Sequence, residues 1–101
     1  MTYTEPEPIT VYVSIGNTDG KLKIAEYAEF VRDFRRVMRR AAVQVYGEWF
    51  SAPDVPFQNA CMAIALRPGG VDVLRGELTE MREYYEQDSV AWAEVPETEF
   101  I

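Results

Sequence analysis

Four short segments of this chain read as strands, the first with apolar residues at every second position, and two longer ones carry apolar residues at every third or fourth position. The order of those periods leaves few folds open. Ile9, Val11, Val13 and Ile15 share one parity while Thr10, Tyr12 and Ser14 share the other, the pattern of a half-buried strand. Gly16-Asn17-Thr18-Asp19-Gly20 breaks it with turn chemistry, since glycine reaches positive φ and Asn/Asp side chains bond nearby backbone. Over residues 22–42, Ile24, Tyr27, Ala28, Val31, Phe34, Met38 and Ala41 fall along one helical stripe. Residues 43–51 alternate β-branched and aromatic side chains and predict a second strand. A loop containing Pro53 and Pro56 follows. Residues 57–66 form a third strand whose apolar second half predicts burial on both faces.

Arg67-Pro68-Gly69-Gly70 stops that strand. The spacing then predicts a helix over residues 71–86, with Val71, Leu74, Leu78, Met81 and Tyr85 inward and Asp72, Glu77, Glu80, Glu83 and Glu86 largely outward. Gln87-Asp88-Ser89 turns the chain into a last strand at 90–95. Residues 1–8, with two prolines between glutamates, read as an extended leader, and 96–101 as a tail. The element order is therefore βαββαβ within one domain at 9–95. Right-handed crossovers then predict a ferredoxin-like α+β sandwich: a four-stranded antiparallel sheet in order 4-1-3-2, with both helices on one face.

Composition narrows the chemistry. The 101 residues suit a single core. Histidine is absent and Cys61 is the only cysteine, which removes Cys/His zinc sites, internal disulfides and His-dependent nucleophilic triads. No cofactor is implied. No apolar run approaches a membrane span, and the polar, proline-rich amino end is unlike a signal peptide, so a cytoplasmic protein is expected. An RNA-recognition module shares the element order, and Val11 to Gly16 resembles its first strand. Its third strand needs exposed aromatics, whereas here that strand reads Gln58-Asn59-Ala60-Cys61-Met62-Ala63, and a net charge of −7 repels phosphate. Direct nucleic-acid binding is rejected on those grounds.

Three surfaces are candidate sites. The topology brings the turns at 16–22, 51–58 and 86–89 to one edge, gathering Asn17, Asp19, Lys21, Ser51, Asp54, Gln58, Asn59, Gln87, Asp88 and Ser89 as a ligand-binding rim. Turn and helix-cap chemistry accounts for the same residues without a ligand. The sheet face away from the helices is expected to present Tyr12, Tyr46, Phe50 or Trp49, and Trp92 as a dimer or partner surface. Arg32, Arg35, Arg36, Arg39 and Arg40 form a basic cluster on the first helix, paired in part with Glu29 and Asp33, and Arg39, Arg40 and Arg67 collect at the end opposite the rim. Cys61 reads as a packing residue, and the tyrosines and Glu48 as core and surface groups.

The strings VYVSIGNTDGKL, GEWFSAPD, QNAC and QDSVAW resemble short proteins of actinobacteria and their phages that carry no assigned chemistry. The resemblance covers most of the chain. It implies a setting in which small accessory proteins block host defence by masking an effector or sequestering a nucleotide. The expected function is a small acidic, non-enzymatic binding protein, homodimeric, whose partner is a host protein or a nucleotide-like ligand. The alternative is a small dimeric α+β-barrel enzyme with a pocket on the free sheet face lined by Tyr12, Tyr46 and Trp92.

Overall fold

The computed structural model describes residues 6–52 and 55–101. The leader before residue 6 and Asp54 of the expected rim lie outside those residues. In chain order the elements are β1 (Ile9–Gly16), α1 (Ile24–Ala41), β2 (Gln44–Phe50), β3 (Asn59–Leu66), α2 (Val71–Tyr84) and β4 (Ala91–Val95). Helix α1 starts two residues later than the spacing predicts. Residues 18–20 form a separate tight turn, with Asp19 and Gly20 at φ 50° and 65°. The amide of Lys23 then donates to the Glu26 carboxylate at 2.9 Å, closing the first turn of the helix. Helix α2 stops short of the expected Glu86 because Glu86 itself takes a left-handed conformation, φ 54°. That geometry lets the Gln87 amide donate back to the Arg82 carbonyl at 2.9 Å.

All strand pairs are antiparallel, in the order β2-β3-β1-β4. This is the predicted order read from the other edge. Val11, Val13, Ile15, Met62, Ile64 and Leu66 face the helices and close on Phe30, Phe34 and Met38 of α1 and on Leu74 and Leu78 of α2. The inner stripe of α1 differs from the expectation. Ile24 is 63% exposed, whereas Phe30 and Val37, both outside the expected stripe, are buried. A stripe of 3.6-residue period drifts along an 18-residue helix, and its centre follows Tyr27, Phe30, Phe34, Val37 and Met38. Strand β3 is buried on both faces as expected, since Ala63 and Ala65 on its outer face are only 1% and 4% exposed.

Strand β2 contains a bulge. Val45 pairs with Ile64 and Gly47 with Ala63, leaving Tyr46 as the extra residue. One inserted residue reverses the side-chain phase beyond it. Phe50 therefore pairs with Ala60 on the helix side, where Arg35 of α1 lies over its ring, while Trp49 turns to the free face. Trp92 is also placed on the helix side. It pairs with fully buried Val13, packs against the core and lies under Arg75 of α2. The expected grouping of Tyr12, Tyr46, Phe50 and Trp92 on one face is corrected on these two residues.

Candidate functional site

The rim assembles at one end of the sheet, and its polar groups are engaged mostly with one another. The Asn17 side chain makes no capping hydrogen bond to the turn at residues 18–20. Its Nδ2 donates to the Gln58 side chain at 2.6 Å and to the Leu22 carbonyl at 2.8 Å, and its Oδ1 accepts from the Leu22 amide at 2.9 Å. Gln87, 4% exposed, accepts from the Thr18 amide at 2.7 Å and donates to the Tyr85 carbonyl at 2.9 Å. The Asp88 amide donates to the Thr18 hydroxyl at 3.2 Å, and the Lys21 ammonium lies 3.8 Å from the Asp88 carboxylate. Ser51 and Asn59 close the β2–β3 hairpin on each other, with the Asn59 amide donating to Ser51 Oγ at 2.8 Å. Asp19 and Ser89 stand exposed beside this network. The rim is thus a clasp holding the β1–α1 turn to the hairpin and to the α2–β4 turn. No group of three or more metal-ligating side chains occurs among the described residues.

The free sheet face has a different character. Its ladder positions are Thr10, Tyr12 and Ser14 of β1, Gln44, Gly47 and Trp49 of β2, Cys61, Ala63 and Ala65 of β3, and Ala91, Ala93 and Val95 of β4. None is charged, in a chain of 27% charged residues. Tyr12 and Trp49 stack across the small residues of β3, with ring centroids 6.4 Å apart and planes 8° from parallel. Gly47 permits this, because a Cβ there would stand 2.7 Å from the Trp49 ring. The pair stays accessible, Tyr12 at 41% and Trp49 at 52%. Two flat, prearranged aromatic surfaces on an uncharged floor lose little rotamer freedom on contact.

The arginines of α1 pair with Asp33 only in part, and their other partners lie on other elements. Arg36 reaches Asp33 at 3.3 Å, but Arg40 bonds Glu77 of α2. Arg35 and Arg39 converge on Glu48 of β2, which accepts at 2.8 Å from Arg35 Nε and at 2.5 Å from Arg39. Asp33 also accepts a hydrogen bond from the hydroxyl of Tyr85, whose ring stacks on Phe30 at 4.5 Å. Burial, and then that donation, push the Tyr85 phenol far above its ordinary range, so it carries no proton traffic near neutrality. The Tyr27 hydroxyl, also raised by burial, is enclosed without a hydrogen-bond partner among the described residues.

The Arg35 hydrogen bond, joined by Arg39, holds the Glu48 carboxyl below its ordinary value of 4.5. Its folded-state affinity for a proton is therefore lower than in the unfolded chain. The contribution to stability is present above pH 4.5 and is lost as pH falls below that range. Glu48→Gln is expected to cost about 1 kcal/mol at neutral pH, the arginines being half exposed, and close to nothing in acid. Urea unfolding of both chains at the two pH values checks this. An equal cost at both would show that the charge is not what matters.

Glu48 and Tyr85 were legible only as surface and core groups, because each finds its partner on another element. The bulge would have required weighing Gly47 beside Trp49 as a close-approach signal. No helix among the described residues is long and apolar enough to cross a membrane. No known protein family, curated protein or solved structure matches this chain.

Proposed function

We propose that this ferredoxin-like chain is a non-catalytic binding protein that works as a homodimer closed through its free sheet face. The observation that carries this reading is the absence of charge on that face beneath the exposed Tyr12–Trp49 stack. Each copy bears a net charge of −7, so two copies meeting through most other surfaces would desolvate like charges. The uncharged face lets them meet without that cost, and a two-fold axis would set one aromatic stack against the other. The internally satisfied rim favours a macromolecular partner, such as a host effector, over a nucleotide-like ligand, because its amides would first have to release one another. A catalytic pocket on the free face is not favoured, since Trp92 lies across the sheet from Tyr12.

Sedimentation of the purified chain tests the reading. The wild type is expected to be a dimer. Trp49→Glu, which places a charge at the centre of the face, is expected to weaken it by about 3 kcal/mol, more than a hundredfold in dissociation constant. Trp49 is half exposed, so the variant folds. A wild-type monomer, or a dimer indifferent to Trp49→Glu, would sink the proposal.

A further inference from the structure

The face of the helix pair turned away from the sheet carries two adjoining hollows around one exposed aromatic ring. One, of about 440 Å³, lies between α1 and α2 and has Val37 and Met81 in its lining. Glu29, Tyr84 and Tyr85 line both it and a second, of about 190 Å³, which extends to Glu26 and Glu86. Tyr84 stands 76% exposed between them, its ring edge-to-face with buried Tyr85 at 4.9 Å. Helical spacing sets Glu26, Glu29 and Asp33 in one row on α1, and Glu77, Glu80 and Tyr84 in another on α2. Two of these carboxylates already hold cations, Asp33 with Arg36 at 3.3 Å and Glu77 with Arg40. Glu26, Glu29, Glu80 and Glu86 form no ion pair among the described residues. After burial and the Asp33 contact, the Glu29 charge is a further cause of the raised Tyr85 phenol, so its field reaches the groove. The groove therefore combines an apolar lining, an accessible aromatic ring and carboxylates whose charge nothing on the chain offsets.

We propose that this face of the helix pair docks a lysine- or arginine-bearing helix of a protein partner. A groove between two helices accepts the side-chain ridge of a third. The partner's cations meet Glu26, Glu29, Glu80 and Glu86, one of them lies over the Tyr84 ring, and its apolar stripe covers Val37 and Met81. Charge complementarity selects this occupant. A second copy of the chain would bring a net charge of −7 to the same carboxylates, and a nucleic acid would bring its phosphates. This surface rests on the binding-protein reading above and gives its partner a chemistry, but it shares no residue with the sheet face and stays open when that face is covered.

A fluorescent amphipathic peptide of leucine and lysine, about 18 residues long, titrated onto the full chain at roughly 0.15 M salt tests it. Saturable binding is expected, and Tyr84→Ser should weaken it about tenfold. Glu29→Gln with Glu80→Gln should also weaken it at least about tenfold. Glu97→Gln with Glu99→Gln removes the same charge elsewhere and should leave binding within about twofold. All five positions are exposed, so the variants keep the fold. No binding, equal weakening by the two glutamate pairs, or indifference to Tyr84→Ser overturns the proposal. The Trp49→Glu chain should bind the peptide as the wild type does; loss of binding there would put the peptide on the sheet face and overturn the assignment to the helices. Sedimentation of the chain without peptide reads the dimer alone, so failure of either surface is seen separately.

Discussion

Phe30→Ala is expected to be the most damaging single truncation among those considered, at about 3–5 kcal/mol, while Ile24→Ala six residues earlier stays within about 0.5 kcal/mol. Phe30 has no exposed surface, sits in the shared core and stacks on Tyr85 at 4.5 Å. Removing the ring leaves a void between α1 and the end of α2, and frees Tyr85 from the position at which it meets Asp33. A domain of this size is stable by only about 5–15 kcal/mol, so the variant should unfold at a much lower urea concentration. Ile24 is 63% exposed and loses little when shortened. Equal midpoints for the two variants would show that Phe30 is not a core residue.

The second large effect is expected at the rim. Gln87→Ala should cost about 2–3 kcal/mol, because it orphans the Thr18 amide and the Tyr85 carbonyl together. With Gln87 only 4% exposed, water cannot simply replace the amide. Neighbouring Ser89→Ala, on an exposed side chain, should fall within about 0.5 kcal/mol. Hydrogen exchange localises the effect: the Thr18 amide should exchange roughly thirtyfold faster in Gln87→Ala, while the amides of β3 change only with global stability. A cost near that of Ser89→Ala would mean that Gln87 does not clasp the β1–α1 turn to the α2–β4 turn, and would reopen that part of the rim as a site with free donors.

Most of the architecture was legible because period and punctuation agreed. Ile9, Val11, Val13 and Ile15 can bury one side only as a strand, and Pro68-Gly69-Gly70 can continue neither the strand before it nor the helix after it. Face assignment was legible where the two parities differ in polarity, as in β1. It failed in β4, where Ala91, Ala93 and Val95 against Trp92 and Glu94 give no clear inner set, and Trp92 was placed on the wrong side. It failed in β2 for a different reason, since the extra residue Tyr46 shifts Phe50 inward and Trp49 outward. The structure brings Asn17 to Gln58 and Lys21 to Asp88 at one end of the sheet, but the hydrogen bonds of these turns to one another could not be read from spacing. Asn17 and Gln58 are 41 positions apart, and Thr18 and Gln87 are 69 apart.

The sequence by itself determined the six elements, their order, the central pair of strands and the charge that any partner meets. Those properties follow from local backbone preference and from which side chains water rejects, and both act residue by residue. Only the tertiary structure decided which aromatics share a surface, which carboxylate the α1 arginines hold, and that the rim's amides are closed on themselves. These depend on register and on helix rotation, where a shift of one residue changes every neighbour while leaving the pattern of apolar positions intact.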